Sequence, residues 1–266
     1  MDVVGVDLAW SGEGTGGTGL CLVRDGRVLD SARVRSDDDI LAWARSRVQR
    51  PVLFAVDAPL VVVNRTGRRP CERALAHAFG RYWAAPHSAN LGRPGFERGP
   101  RALRLAHLLG ADLDPRAARD SRHSCVLEVY PHPALVCLFG LPRRLPYKAR
   151  RGRTLAERRQ AFACLLELLE TLVSADPPLD VPSAPRWPIL RERVVSTAVG
   201  AELDRLEDEV DAYVCAYVAL YHLRHGEPRS RVVGDLETGY VVVPVAGAAP
   251  GSPLHEAAGR LTTLTA

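Results

Sequence analysis

Lysine is almost absent from this chain. Lys148 is the only one, and all other side-chain positive charge is arginine. So uniform a bias makes arginine richness a weak functional signal. Together 35 Lys+Arg and 31 Asp+Glu leave a formal net charge of +4, which permits a nucleic-acid partner without demanding one. Cysteine pairs at metal spacing are also missing. Cys21, Cys71, Cys125, Cys137, Cys164 and Cys215 form no CxxC, and several sit in apolar runs. They read as reduced, buried small hydrophobes of a cytoplasmic protein, and no zinc site is expected. No stretch approaches the roughly 18 apolar residues of a membrane span, and the first apolar run, flanked by Asp2 and Asp7, is too short for a secretory leader. Internal repeats are absent as well. What is present, 266 residues with 47% hydrophobic and 25% charged content, is ordinary for a globular protein and long enough for a real core.

The organising stretch is Val3-Val4-Gly5-Val6-Asp7-Leu8-Ala9-Trp10, matched by Val52-Leu53-Phe54-Ala55-Val56-Asp57-Ala58-Pro59. Runs apolar on both faces read as central strands of a covered sheet. Each carries one carboxylate, and an unpaired buried carboxylate is expensive. Either Asp alone is explained by a strand-end cap or an ion pair; two of them on two central strands suggest convergence.

After a glycine-rich segment at 11–19, two more strands are joined at Asp25-Gly26, a strong hairpin signal. Ser36-Asp37-Asp38-Asp39 caps a helix to about residue 48. The following strand, reached by a helical crossover, is expected parallel to the first and beside it. Residues 61–123 lack strand signals and read as a helical insertion, with helices at about 71–79 and 100–109 and with Trp10 packed beneath them. A fifth strand at 125–130 holds Glu128 and ends at Pro131 and Pro133. The basic run 143–159 leads into a helix at about 154–173, then a proline-rich linker at 176–187. A last helix spans about 201–224, and Tyr240 to Val245 read as a short terminal strand or extended segment; a tail of mobile composition is expected at 246–266. On the last helix Asp204, Asp208 and Asp211 share one face that becomes apolar at Cys215 and Val218, while Glu207 and Glu209 fall off it and read as solvated.

Asp7, Asp57, Glu128 and the Asp208/Asp211 pair thus form a candidate constellation without basic partners nearby in sequence. Convergent carboxylates of this kind call for Mg²⁺ or Mn²⁺, and two such ions clamp the attacking and leaving oxygens in phosphodiester cleavage. Arg68, Arg69, Lys148, Arg150 and Arg151 are candidates for substrate phosphates. His87 and His132, beside prolines, read first as structural and second as proton-transfer or phosphate groups.

The order Gly5-Val6-Asp7, Val56-Asp57-Ala58-Pro59, Asn64-Arg65-Thr66-Gly67-Arg68-Arg69-Pro70-Cys71-Glu72, Glu128-Val129-Tyr130-Pro131, Tyr147-Lys148, Asp208-Glu209-Val210-Asp211-Ala212 and Glu237-Thr238-Gly239-Tyr240 resembles the DUF429 family of predicted RNase H-like nucleases. The resemblance implies one α/β domain over 1–245, with a five-stranded mixed sheet of three antiparallel strands plus parallel strands, flanked by helices. It implies a metal-dependent nuclease with Asp7, Asp57 and Asp211 as metal ligands, Asp208 or Glu128 as a further ligand, and nucleic acid as partner. Two alternatives stand beside it. One is a non-catalytic nucleic-acid-binding or interaction module on the same fold. The other is a phosphotransferase of the actin-like or sugar-kinase type, suggested by Asp7 followed by Gly14 to Gly19. The second phosphate loop and the duplicated lobes of such kinases are not found.

Overall fold

The computed structural model describes residues 1–10, 16–96, 98–119 and 122–245. Its centre is the pair of doubly apolar runs. β1 (Asp2–Asp7) and β4 (Val52–Val56) lie parallel, with Val4 opposite Phe54 and Val6 opposite Val56. β2 (Thr18–Arg24) and β3 (Arg27–Val34) continue the sheet antiparallel beyond β1. Their turn places Asp25 at φ 51° and Gly26 at φ 73°, the positive values a tight hairpin requires. β5 (Cys125–Glu128) adds a parallel strand beyond β4, so the order is β3-β2-β1-β4-β5. The expected mixed α/β sheet is therefore present, and the crossover between β3 and β4 is α1 (Asp37–Arg47), whose first turn is capped by Ser36.

Strand periodicity assigns the two faces. Gly5 and Ala55 share one face, Val4, Val6, Phe54 and Val56 the other. The second face packs under α1 and α3 (Arg101–Leu109). The first lies under α7 (Gly200–His225), which crosses β1 and β2 with an unusually close approach. A Cβ placed on Gly5 would stand 1.9 Å from the Ala212 carbonyl oxygen, and one on Gly19 would stand 1.7 Å from that of Asp208. Only glycine leaves room for helix backbone to rest on strand backbone here.

A second, smaller core joins α2 (Pro70–Phe79), α4 (Pro131–Phe139) and a hairpin of β6 (Ser230–Asp235) and β7 (Gly239–Pro244). Among its described residues the segment 61–123 buries only a small cluster of its own, Val62, Ala89 and Phe96, against which Trp10 packs; α2 joins the second core, and α3 joins the main one through Leu105, Ala106 and Leu109. α5 (Leu155–Glu170) and α6 (Trp187–Ser196) pack beside α7. Three of these elements differ from the sequence expectation. Pro131 ends β5 but also opens α4, because proline is tolerated in a helix's first turn. α6 follows directly on the proline-rich linker, and β6 pairs with β7 in a separate two-stranded sheet. No described helix is long and apolar enough to cross a membrane. The tail at 246–266 lies outside the described residues.

Candidate active site

β1 and β4 end at the same edge of the sheet. Asp7 is the last residue of β1, and Asp57 follows β4 and donates its backbone N–H to the Val6 carbonyl at 2.9 Å. By the two-residue period both side chains share the Gly5/Ala55 face, the one beneath α7. The glycine seats bring Asp208 and Asp211 down onto that same edge. Asp211 is wholly buried; Tyr147 donates its hydroxyl to Oδ1 at 2.8 Å, and Lys148 Nζ stands 2.6 Å from Oδ2. Lys148 also reaches Glu207 Oε1 at 3.2 Å, and Arg33 donates to Asp208 Oδ2 at 2.6 Å. The carboxylates converge, but not without cations: Lys148 and Arg33 come from distant segments that sequence proximity could not reveal.

This charge balance is incomplete. Burial pushes Asp7 well above the usual carboxylate range. Lys148 opposes that shift, and Asp211, Asp57 and Asp208 add to it. Asp57 is raised to about 7, chiefly by burial, against Lys148 and with Asp211 and Glu128 adding. Glu207 is also raised to about 7, first by burial and then, despite Lys148, by Asp211. Burial would lower the Lys148 ammonium, but Asp211, Tyr147, Asp7 and Glu207 outweigh it and hold the group well above its ordinary value. The site thus gathers more carboxyl groups than Lys148 and Arg33 offset, and burial favours the protonated form of Asp7, Asp57 and Glu207.

Above it opens a cleft of about 700 Å³. Its floor carries Asp7, Asp57, Glu207 and Asp208; Arg68, Arg144, Lys148, Arg150 and Arg153 also line it. His87 and His132 line it too, both with lowered pKa, first by burial and then by neighbouring cations. His132 is buried edge-on between Tyr130 and Tyr147, which favours its structural reading. Trp10 packs edge-on against Phe96 of the insertion and donates Nε1–H to the Asp57 carbonyl at 3.2 Å, so the insertion is tied to the strand end.

The family model for a protein of unknown function, DUF429, matches residues 5–237. The chain belongs to the DUF429 family. The match begins at the Gly5 seat and takes in every residue that lines the cleft. No curated protein and no solved structure matches the chain.

Several site residues of this DUF429 chain sit otherwise than expected. Glu128 is opposite Val56 in the parallel ladder, so its side chain leaves the sheet on the face away from Asp57. There both oxygens are taken: Arg69 Nη1 donates at 2.9 Å, Arg69 Nη2 at 2.5 Å and the Leu60 N–H at 2.9 Å. Arg69 is only 2% exposed and also bonds Glu72 and the Val61 carbonyl, so it braces the cleft wall instead of meeting a substrate. Its neighbour Arg68 is exposed and lines the cleft. In the basic run, Arg150 lines the cleft and Arg151 does not, while Arg158 is buried against the Tyr147 carbonyl and Asp204. Glu207 and Glu209 are not solvated. Glu207 joins the floor, and the buried Glu209 accepts from Arg186 and Ser31. Glu207 follows from the helical spacing once Lys148 is known to face that turn. Arg33 and Tyr147 carry no local signal of their roles. Of the glycine-rich segment, 11–15 lies outside the described residues; Gly16 and Gly17 line the cleft.

The carboxylates Asp7, Asp57, Asp208 and Asp211 suit a hard divalent ion by donor type and by their unbalanced charge. Among the described residues, however, no three His, Cys, Asp or Glu side chains are drawn together as a ready-made metal group. Lys148 stands among them, and its ion pair with Asp211 would have to yield for Asp211 to ligate.

Proposed function

We propose that this protein hydrolyses phosphodiester bonds in nucleic acid with the help of Mg²⁺ or Mn²⁺. One observation carries the reading: an acidic floor, with more carboxylates than its own cations offset, lies under an arginine-rich rim in a single cleft. A polyanion needs the rim, and only a cation-dependent chemistry has use for such a floor beneath it. The five-stranded order and the late acidic helix agree with the RNase H-like plan that the motifs imply.

In this reading Asp7 and Asp57 hold the ion, with Asp208 or Asp211 completing the set. When bound, such an ion would supply an activated water and stabilise the leaving 3′ oxygen. Arg68, Arg144, Arg150 and Arg153 orient the backbone phosphates and confer little sequence preference, because phosphate contacts position without specifying bases. Glu207, shifted to about 7, is suited to take the proton of the attacking water near neutral pH. Lys148 keeps the carboxylates together in the meantime.

The second reading, a non-catalytic nucleic-acid-binding module, is favoured by Lys148 itself, since an ammonium already stands at Asp211. Incubation of single strands, duplexes, hybrids and branched DNA with Mg²⁺, Mn²⁺ or EDTA, beside Asp7→Asn, separates the two. Metal-dependent cleavage lost in Asp7→Asn supports hydrolysis. Failure to cleave any substrate, or cleavage that persists in Asp7→Asn, favours the module.

A further inference from the structure

We propose that Trp83 is a stacking platform for an unpaired nucleobase, and that the cleft therefore takes single-stranded nucleic acid, DNA and RNA alike. The inference rests on the nucleic-acid reading above and narrows its substrate class.

Trp83 is the one large hydrophobic residue, among those described, that is both exposed and on the cleft; it is 55% exposed. Its backbone is in the left-handed region, φ 59° and ψ 21°, directly after the short 3-10 turn Gly80–Tyr82. A bulky side chain is disfavoured there, and asparagine or glycine would sit more easily. Strain of this kind persists only where the surroundings hold it in place and often marks a functional position. The surroundings do hold it. Tyr82 and Ala84 on either side are buried, the Trp83 N–H donates to the Gly80 carbonyl at 2.9 Å, and the Arg144 N–H donates to the Tyr82 carbonyl at 2.8 Å. The chain is therefore pinned on both sides of a residue turned out to solvent.

What surrounds the ring points to the ligand. Trp83, Ala85 and Arg150 line both the main cleft and an adjoining cavity of about 390 Å³, so the groove passes the indole on its way from the acidic floor. The Arg143 guanidinium lies over the ring, 5.0 Å from its centroid. An exposed indole among arginines offers a π surface for a base and cations for the phosphates that flank it. A duplex keeps its base faces stacked inside the helix and cannot use such a surface.

The test is equilibrium binding of fluorescently labelled strands in EDTA, read by anisotropy, so that no turnover intervenes. The strands are a DNA oligomer, an RNA oligomer, a duplex and an abasic strand of equal charge. The unsubstituted protein should bind both base-bearing single strands more tightly than the abasic strand and the duplex. Trp83→Ala should weaken the base-bearing strands by about 5- to 100-fold and leave the abasic strand unchanged; Trp83→Phe should keep part of the affinity. Trp83→Asn relaxes the backbone, so it should melt no lower than the unsubstituted protein while binding single strands as weakly as Trp83→Ala. Equal affinity of the unsubstituted protein for abasic and base-bearing strands overturns the platform and leaves the hydrolysis reading standing. The platform is also overturned if Trp83→Asn melts lower and loses abasic and base-bearing strands in step. No binding of any strand overturns the platform, and the hydrolysis reading is then decided separately by cleavage with Mg²⁺ or Mn²⁺.

Discussion

Replacing Lys148 by methionine tests whether the ammonium is what allows the carboxylates to sit together. At 2.6 Å from Asp211 Oδ2 the attraction is about 6 kcal/mol at an effective dielectric of about 20. Glu207 Oε1 at 3.2 Å adds about 5 kcal/mol on the same basis. Desolvation of the ammonium cancels much of this, and breaking a buried pair by removing one partner costs about 3–5 kcal/mol in practice. The Lys148 side chain is 30% exposed, which argues for the low end, about 3 kcal/mol. A domain stable by about 5–15 kcal/mol survives that loss, so Lys148→Met should fold. The deficit should depend on pH. Without the ammonium, the carboxylates on the floor hold protons still more strongly, and the native state takes them up. The deficit is therefore full near pH 8 and shrinks toward about pH 5.5. Mn²⁺ should restore part of it by replacing the missing charge. Urea denaturation at both pH values, with and without Mn²⁺, reads all three effects. A loss of less than about 0.5 kcal/mol near pH 8, or one equal at both pH values, would refute the reasoning.

Asp7→Asn should leave the metal-free protein as stable as the original or more so, because burial holds that carboxyl well above its usual range; a large drop in thermal midpoint would mark Asp7 as a structural acceptor instead. For Asp57, whose pKa moves from 3.8 to about 7, the folded state binds the proton more tightly than the unfolded one, so stability is highest at low pH and is lost as pH rises through about 7. That contribution is on the order of 4 kcal/mol, and Asp57→Asn should flatten the stability profile between about pH 4 and 8; an unchanged slope contradicts the assignment. Gly5→Ala places a methyl group where the Ala212 carbonyl lies and should cost about 1–3 kcal/mol or more by lifting α7; wild-type stability would show that α7 is free to shift. Arg69→Met strands Glu128 and Glu72 in the interior and should cost about 3–5 kcal/mol, the penalty expected of a brace but not of a surface arginine; chemical denaturation distinguishes the two.

The parts legible in the sequence are those encoded locally. The apolar runs of β1 and β4, the Asp25-Gly26 turn and the Ser36 cap each carry their signal within a few residues, and each is found where it was expected. Asp7 and Asp57 are legible for the same reason: a carboxylate ending a doubly apolar strand needs an explanation. Their partners are not, because Tyr147 meets Asp211 across 64 residues and Arg33 meets Asp208 across 175. Adjacent Arg68 and Arg69 show the limit most directly. They are the same residue type, yet one is exposed and the other buried, and what separates them is Glu128 on a strand far downstream. Glu128 departs from expectation for a matching reason: its strand is legible, but the register that turns it from Asp57 exists only once β5 pairs with β4.

The two glycine seats also set an order of events in time. Asp7 and Asp57 leave the ribosome before α7, with the first four strands of the sheet. α7 is synthesised after all five strands of the sheet, and until it docks, the Gly5 and Gly19 face lacks the helix that rests on it. Contacts this distant in sequence form slowly, and an uncovered apolar sheet face is prone to stick to other chains. A nascent or truncated chain that stops before α7 therefore carries its two strand carboxylates without Asp208 and Asp211, and exposes the surface those helix residues would seal. Completion of the core and assembly of the acidic floor become one event, so a chain that lacks α7 has two strand carboxylates but no finished floor.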